Sequence, residues 1–395
     1  MYITSFVHRE ELFDMVQRWL CNRLDPSDGL RVTQILICDG FILGETLDSL
    51  TKLLLTTLPV QTYRTQRLHF KGELRDIICR SAQAPNPRMA ELVASYMANP
   101  DFFYKEAPVD GTAYLDEADR LVALYRIKRP RRIAEKANRY IAGHIFRMVQ
   151  NRARQLAEER AQQIGIPLEH LLTPEEEMER EFTLAEEMIA SAFKEGKARF
   201  ERPPVTINDV GGIKCIADSL SLHRIEEFML QHPDFTVFER AEHSGSYRAR
   251  SLIIDVPWDR DRICRSFVEK GAWEKYTNRG ISEIELRKGL DHLLEGAEPR
   301  ICIEVTLTTF EELVESELGR SIHEERIINQ RGQTAYTGYI PMNVEFLVEY
   351  LFAVAVSPQT QIDRLPIKLW GRYLPDTISH HIRRLYYLPE HDALY

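Results

Sequence analysis

The sequence predicts an α/β (α+β) protein: a mixed β-sheet with helices packed on it, a long helical insertion, and a smaller α/β unit ahead of it. Three observations predict this. The second half alternates segments of strand composition with segments of helical period, in the order strand, helix, strand, strand, long connection, strand, helix. Residues 134–163 have helical composition and no proline. Prolines at 85, 87, 100 and 108 set the first hundred residues apart from the rest.

Length and composition narrow the class. A chain of 395 residues suggests two or three domains. A hydrophobic share of 44% and a charged share of 28% are ordinary for a soluble globular protein and exclude disordered or collagen-like chains. The net charge of −9 argues against coating by nucleic acid and leaves room for a local basic patch. Six cysteines, at 21, 38, 79, 215, 264 and 302, form no Cys-x-x-Cys pair. They are expected to be reduced, buried thiols of a cytoplasmic protein, neither zinc ligands nor a disulfide frame. Arg9, Glu10, Glu11 and Asp14 interrupt the first thirty residues, so no signal peptide is expected. The longest apolar stretch, 346–356, contains Glu349 and is too short to span a bilayer, so no membrane partner is expected.

The elements follow in order. Residues 10–24 read as an amphipathic helix leading to the turn Pro26-Ser27-Asp28-Gly29. Residues 32–38 read as a buried strand, 45–58 as a helix and 60–64 as a short second strand. Asp39-Gly40, between that strand and helix, lies where phosphates often bind. It lacks a glycine-rich fingerprint and reads as a connecting loop. The units are then 1–110, 111–325 and 326–395. Thr173-Pro174 followed by Glu175, Glu176 and Glu177 predicts a helix start, with an end near Gly196, so residues 137–200 form a helical insertion outside the sheet. After Pro203-Pro204, residues 205–217, 236–242, 247–256 and 300–308 have strand composition, and 222–231 and 310–322 have a helical pattern.

Three features carry chemistry. Asp209 and Glu304 are acids set into apolar segments, Ile207-Asn208-Asp209-Val210 and Ile303-Glu304-Val305. A carboxylate in such a place needs a cation, hydrogen bonds or solvent. On neighbouring strands the two can hold Mg²⁺ between them; on a half-exposed sheet they simply face water. Residues 125–155 contain Arg126, Lys128, Arg129, Arg131, Arg132, Lys136, Arg139, Arg147, Arg152 and Arg154 against one acid, Glu135. This suits a polyphosphate or nucleic acid, with a solvated helix face paired to the acidic run 175–187 as the alternative for residues 147–154. Finally, Tyr247 opens a strand after the turn Ser244-Gly245-Ser246 and can offer its ring to a base.

Taken together, these pieces resemble the synthetase domain of the RelA/SpoT family, over roughly residues 112–136 and 200–325. The resemblance rests on Arg126-Ile127-Lys128 with Lys136 eight positions on, on Asp209-Val210-Gly211-Gly212-Ile213-Lys214, on Tyr247, and on Glu304-Val305-Thr306-Leu307-Thr308-Thr309. It implies a nucleotidyltransferase-like sheet and pyrophosphate transfer from ATP to the 3′-hydroxyl of a guanine nucleotide. Arg126, Lys128 and Lys136 would bind ATP. Asp209 and Glu304 would be the Mg²⁺ ligands, with Glu304 alternatively the base. Tyr247, with Lys214 nearby, would hold the acceptor. Glu317 falls at the spacing of a further acid in the family's closing helix. The family's Gln and Arg after the catalytic Glu are Thr306 and Thr308 here, Ser251 stands at the offset of a family His, and the glycine before the Tyr is displaced to Gly245. These departures fall on the acceptor side. They keep open a toxin-type relative acting on the tRNA 3′ end, and an inactive nucleotide-binding sensor. The tail from 365 mixes Lys368, Arg372, Arg383 and Arg384 with Trp370, Tyr373, Tyr386 and Tyr387, a surface able to dock on the core, a partner or a second subunit of a homo-oligomer.

Overall fold

The computed structural model describes all residues except 60–61, 83–85, 245–247, 320–337 and 389–395. Its strands form two sheets. The short β1 (Tyr2–Ile3) pairs in parallel with β5 (Thr206–Ile207). Among the described residues the main sheet has seven strands. In spatial order they are β2 (Tyr63–Phe70), β3 (Pro108–Asp116), β4 (Leu121–Ile127), β6 (Gly211–Ile216), β9 (Arg300–Thr308), β8 (Arg248–Pro257) and β7 (Thr236–Ser244). The central pair β6/β9 is parallel and every other pairing is antiparallel.

Helices cover both faces, and alternation along the strands decides which residue meets which layer. Tyr125, Ile213, Cys215 and Val305 face the larger core, with α1 (Arg9–Leu20), α2 (Asp28–Leu55), α5 (Pro130–Ile164), α6 (Glu175–Lys194), α7 (Ser219–Gln231), α8 (Arg260–Glu269) and α11 (Tyr339–Val356). Leu124 and Ile216 face the smaller core under α3 (Lys71–Ser81), α4 (Pro87–Ala98) and α10 (Phe310–Leu318). The short α9 (Glu283–Arg287) lies in the connection from β8 to β9, and α12 (Pro375–Leu385) closes the described chain.

The expectations meet this fold unevenly. Strand 300–308 is β9, and the two-strand reading of 236–256 is the β7/β8 hairpin. Residues 137–200 contribute no strand; they form most of α5 together with α6, and α5 ends on Gly165 in the left-handed region at φ 76°. The expected strand at 32–38 is instead the middle of α2, and Asp39-Gly40 is helical, not a loop. An apolar run buried on several sides has no periodicity to separate strand from helix. Its threonines suit the helix because they bond back one turn, Thr33 Oγ1 to Gly29 O at 3.1 Å and Thr51 Oγ1 to Leu47 O at 2.7 Å. The boundary drawn at residue 110 falls inside β3, whose neighbour β2 comes from the first hundred residues, so one sheet spans both sides of it. The apolar 346–356 stretch belongs to α11, which is long and apolar enough by composition to cross a membrane; 61% of it is buried within the fold.

Two adjacent glycines in β6 prepare the site. A Cβ on Gly211 would stand 2.7 Å from Leu43 Cδ1 of α2, so its absence lets the helix approach the sheet. Gly212 points to the other face, where a Cβ would stand 3.6 Å from Glu304 Oε2.

Candidate active site

The strand pairing brings the site together at one end of the central strands. Arg126, Gly212 and Glu304 are register partners across β4, β6 and β9, and Lys214 lies one pair further along the same face. Lys128 continues β4, its backbone N–H donating to Val210 O at 2.8 Å. The chain then turns at Pro130, which suits the first position of α5, and Lys136 follows about two turns in.

Lys128 and Lys136 converge on Asp209. Their Nζ atoms lie 3.0 Å and 2.7 Å from Asp209 Oδ2, and Lys128 Nζ also donates to the Asp209 backbone carbonyl. Asp209 was expected inside a strand; it lies instead in the connection between β5 and β6. Burial on its own would raise the Asp209 carboxyl, yet Lys128 and Lys136 outweigh it and hold the group below its ordinary value. Burial likewise works to lower the Lys136 ammonium, and Asp209 reverses this. The second oxygen, Oδ1, is buried with no hydrogen-bond partner among the described residues.

A second cluster forms around Glu317 of α10. Its Oε1 lies 2.9 Å from Arg126 Nη2 and 3.5 Å from Lys214 Nζ. Arg75 of α3 donates to the Glu317 backbone carbonyl at 2.9 Å. Burial pushes the Glu317 carboxyl up, but Arg126, Lys214 and Arg75 pull it well below the carboxylate range. Lys214 is lowered, chiefly by burial, and the charge of Glu304 is among those that bear on it.

Arg126 therefore faces a different carboxylate from Lys128 and Lys136, although the three leave one strand end and the following helix. Four cations (Arg126, Lys128, Lys136, Lys214) stand among three carboxylates (Asp209, Glu304, Glu317). Carboxylate oxygens are the donors a hard cation takes. Asp209 Oδ1 is a carboxylate oxygen with unused acceptor capacity, and no hydrogen bond or ion pair joins Glu304 to a described residue. Tyr247 falls within 245–247, outside the described residues.

Sequence reasoning missed two features. Arg75 gave no signal, because nothing local links α3 to α10. His243, on the strand opposite Ser251, places Nε2 3.0 Å from Ser251 Oγ, which lies 3.4 Å from Thr306 Oγ1. An imidazole thus reaches the Ser251 position from the neighbouring strand. Part of the basic run is neutralised within its own helix: Arg131 and Arg132 pair with Glu135, Arg154 with Glu158 and Arg152 with Glu159, while Arg160, beyond the run, reaches Glu177 and Glu181 of α6. A cavity of about 600 Å³ beside Arg88, Leu92, Asn99, Phe103 and Leu318 includes none of the expected site residues.

No family model matches the chain, and no curated protein matches it. Among solved structures it is similar to small alarmone synthetase 1 from Bacillus subtilis, with 12% identity over 50% of this chain and 68% of that one and a TM-score of 0.18. At that score the likeness fixes neither the fold nor the activity.

Proposed function

We propose that this chain is an ATP-dependent pyrophosphokinase that acts on the 3′-hydroxyl of a guanine nucleotide. The observation that carries this reading is Asp209, clamped by Lys128 and Lys136 through one oxygen while the other is buried and unpartnered. Two ammonium groups at a strand end and a helix start are placed to exchange a carboxylate for phosphate oxygens. Arg126 adds a planar guanidinium, which suits a phosphate or the face of an adenine.

In the reaction, the 3′-oxygen attacks the β-phosphorus of ATP, the bond from that phosphorus to the α–β bridging oxygen breaks, and AMP leaves. Lys128 and Lys136 neutralise charge on the transferred phosphates, and Arg126 orients the donor. Glu304, next to Gly212 and free of protein hydrogen-bond donors among the described residues, accepts the hydroxyl proton. Mg²⁺ held by Asp209 and Glu304 would supply further charge neutralisation and alignment of the phosphates. Lys214 and Tyr247 would meet the acceptor.

The test is incubation of the purified chain with β-labelled ATP and Mg²⁺, offering GDP, GTP, ATP and tRNA as separate acceptors. Label on GDP or GTP, abolished in Asp209→Asn with the thermal melt preserved, is the expected result. Label on tRNA alone would move the acceptor to an RNA end. ATP binding without turnover on any acceptor would leave a nucleotide sensor, and full activity in Asp209→Asn would overturn the site.

A further inference from the structure

We propose that His8, Cys38, Asp39 and Cys264 form a structural zinc site, on the α2 side of the sheet and independent of the nucleotide reading. His8 precedes α1, Cys38 and Asp39 are consecutive in the middle of α2, and Cys264 lies in α8. The first three are buried almost completely, at 2%, 0% and 1% exposure, and Cys264 is 5% exposed. One ligand atom from each of His8, Cys38 and Asp39 lies within 4.8 Å of the other two. Cys264 lies outside that 4.8 Å set; the helix that carries it, α8, packs on α2 through an edge-on Phe41–Phe267 contact with ring centroids 5.0 Å apart, which makes it the nearby candidate for the fourth ligand.

The surroundings are arranged as they are around metal ligands. His8 Nε2 lies 2.8 Å from Leu293 O. A carbonyl only accepts, so Nε2 carries a proton and Nδ1 is turned toward Asp39 Oδ1, 2.5 Å away. A ligating histidine whose other ring nitrogen donates to a backbone carbonyl is the usual outer-shell device for fixing the imidazole. The second Asp39 oxygen accepts the His8 backbone N–H at 2.9 Å, which fixes the carboxylate as well.

Size agrees. Zinc bonds of about 2.0–2.3 Å place the ligand atoms of a tetrahedron about 3.3–3.8 Å apart. The Nδ1–Oδ1 contact opens by roughly 1 Å, and the longest separation within the triad closes by no more than about 1.5 Å, to reach that range. Two thiolates, an imidazole and a carboxylate suit Zn²⁺ better than Mg²⁺ or Ca²⁺. Binding replaces the proton shared by Nδ1 and Asp39 and the protons of the two thiols. The ion then staples the segment before α1 and the β8–β9 connection to α2. Sequence reading set the cysteines aside because no two lie in a ligand-like spacing; the fold assembles the set from three distant segments.

The full chain, purified without chelator and without a polyhistidine tag, is expected to carry stoichiometric zinc. After removal of zinc by chelator, Co²⁺ should give thiolate-to-cobalt charge-transfer absorption and tetrahedral d–d bands. Cys38→Ser should lose both the charge-transfer intensity and the zinc, whereas Asp209→Asn keeps them. If Cys38→Ser fails to fold, Cys264→Ser, at the edge of the set, must weaken the same bands. A wild-type chain that takes up neither ion, or a folded Cys38→Ser with the wild-type cobalt spectrum, overturns the proposal.

Discussion

Replacing Glu317 by Gln removes one negative charge from among Arg126, Lys214 and Arg75 while nearly preserving volume. The Glu317 side chain is 12% exposed, Arg126 30% and Lys214 18%, at 2.9 Å and 3.5 Å from the carboxylate. At an effective dielectric near 20, these contacts have gross attractions of about 5–6 kcal/mol, most of it offset by desolvation. Removing one partner of a buried pair costs about 3–5 kcal/mol, because the other charge stays buried and unpaired. Water at the part-exposed Arg126 recovers some of this, so the expected loss is about 2–3 kcal/mol. Urea unfolding measures it as a lower midpoint at unchanged slope. The pH dependence gives an independent check. The folded carboxyl lies well below its ordinary value, because the surrounding cations outweigh the effect of burial. Its stabilisation is therefore fully present above the unfolded value of about 4.3 and is lost as pH falls below that toward the folded value. Wild type should lose stability more steeply than Glu317→Gln below about pH 4.3. A difference under about 0.5 kcal/mol at pH 7, the size of an ordinary surface change, would refute the argument, as would identical acid slopes.

Three further outcomes are expected. Lys136→Met should weaken ATP binding by about tenfold or more in calorimetry and change stability by about 1 kcal/mol or less, since Lys128 remains on Asp209; unchanged affinity would remove Lys136 from the site. Gly29→Ala should destabilise α2 in urea unfolding, even though alanine is the better helix former by about 1 kcal/mol. The new Cβ would stand 2.3 Å from Thr360 O, so a stabilised variant would contradict that packing. Phe193→Ala, at a position 1% exposed in α6, should cost about 3–5 kcal/mol in the same assay, and a near-neutral result would mean that α6 does not seal the larger core.

Legibility in the sequence followed the strength of local patterns. β9 was readable to its ends because Arg300–Thr308 is bounded by proline on one side and a helix-capping Thr309 on the other. The helical insertion was readable from proline-free composition over many turns. The strand assigned at 32–38 failed because Val, Ile and Thr favour strands locally, while burial of α2 against the sheet, with threonine bonds back along the helix, decides for a helix. Asp209 was singled out as an acid in an apolar segment, but its place between β5 and β6, held by two lysines, was not readable from alternation.

By itself the sequence determined the inventory: an α/β chain, a cationic strand end followed by a helix, and two acids in apolar segments. These follow from periodicity, turn chemistry and the cost of placing charge among apolar neighbours, all of which act within a few residues. Tertiary structure alone decided the partnerships. It chose Asp209 for Lys128 and Lys136, Glu317 for Arg126 and Lys214, and Asp39 for His8, across separations of 81 and 73, 191 and 103, and 31 residues. Ion pairs and hydrogen bonds act over a few ångströms of space, and strand order, which no local pattern encodes, sets which distant residues come within that reach.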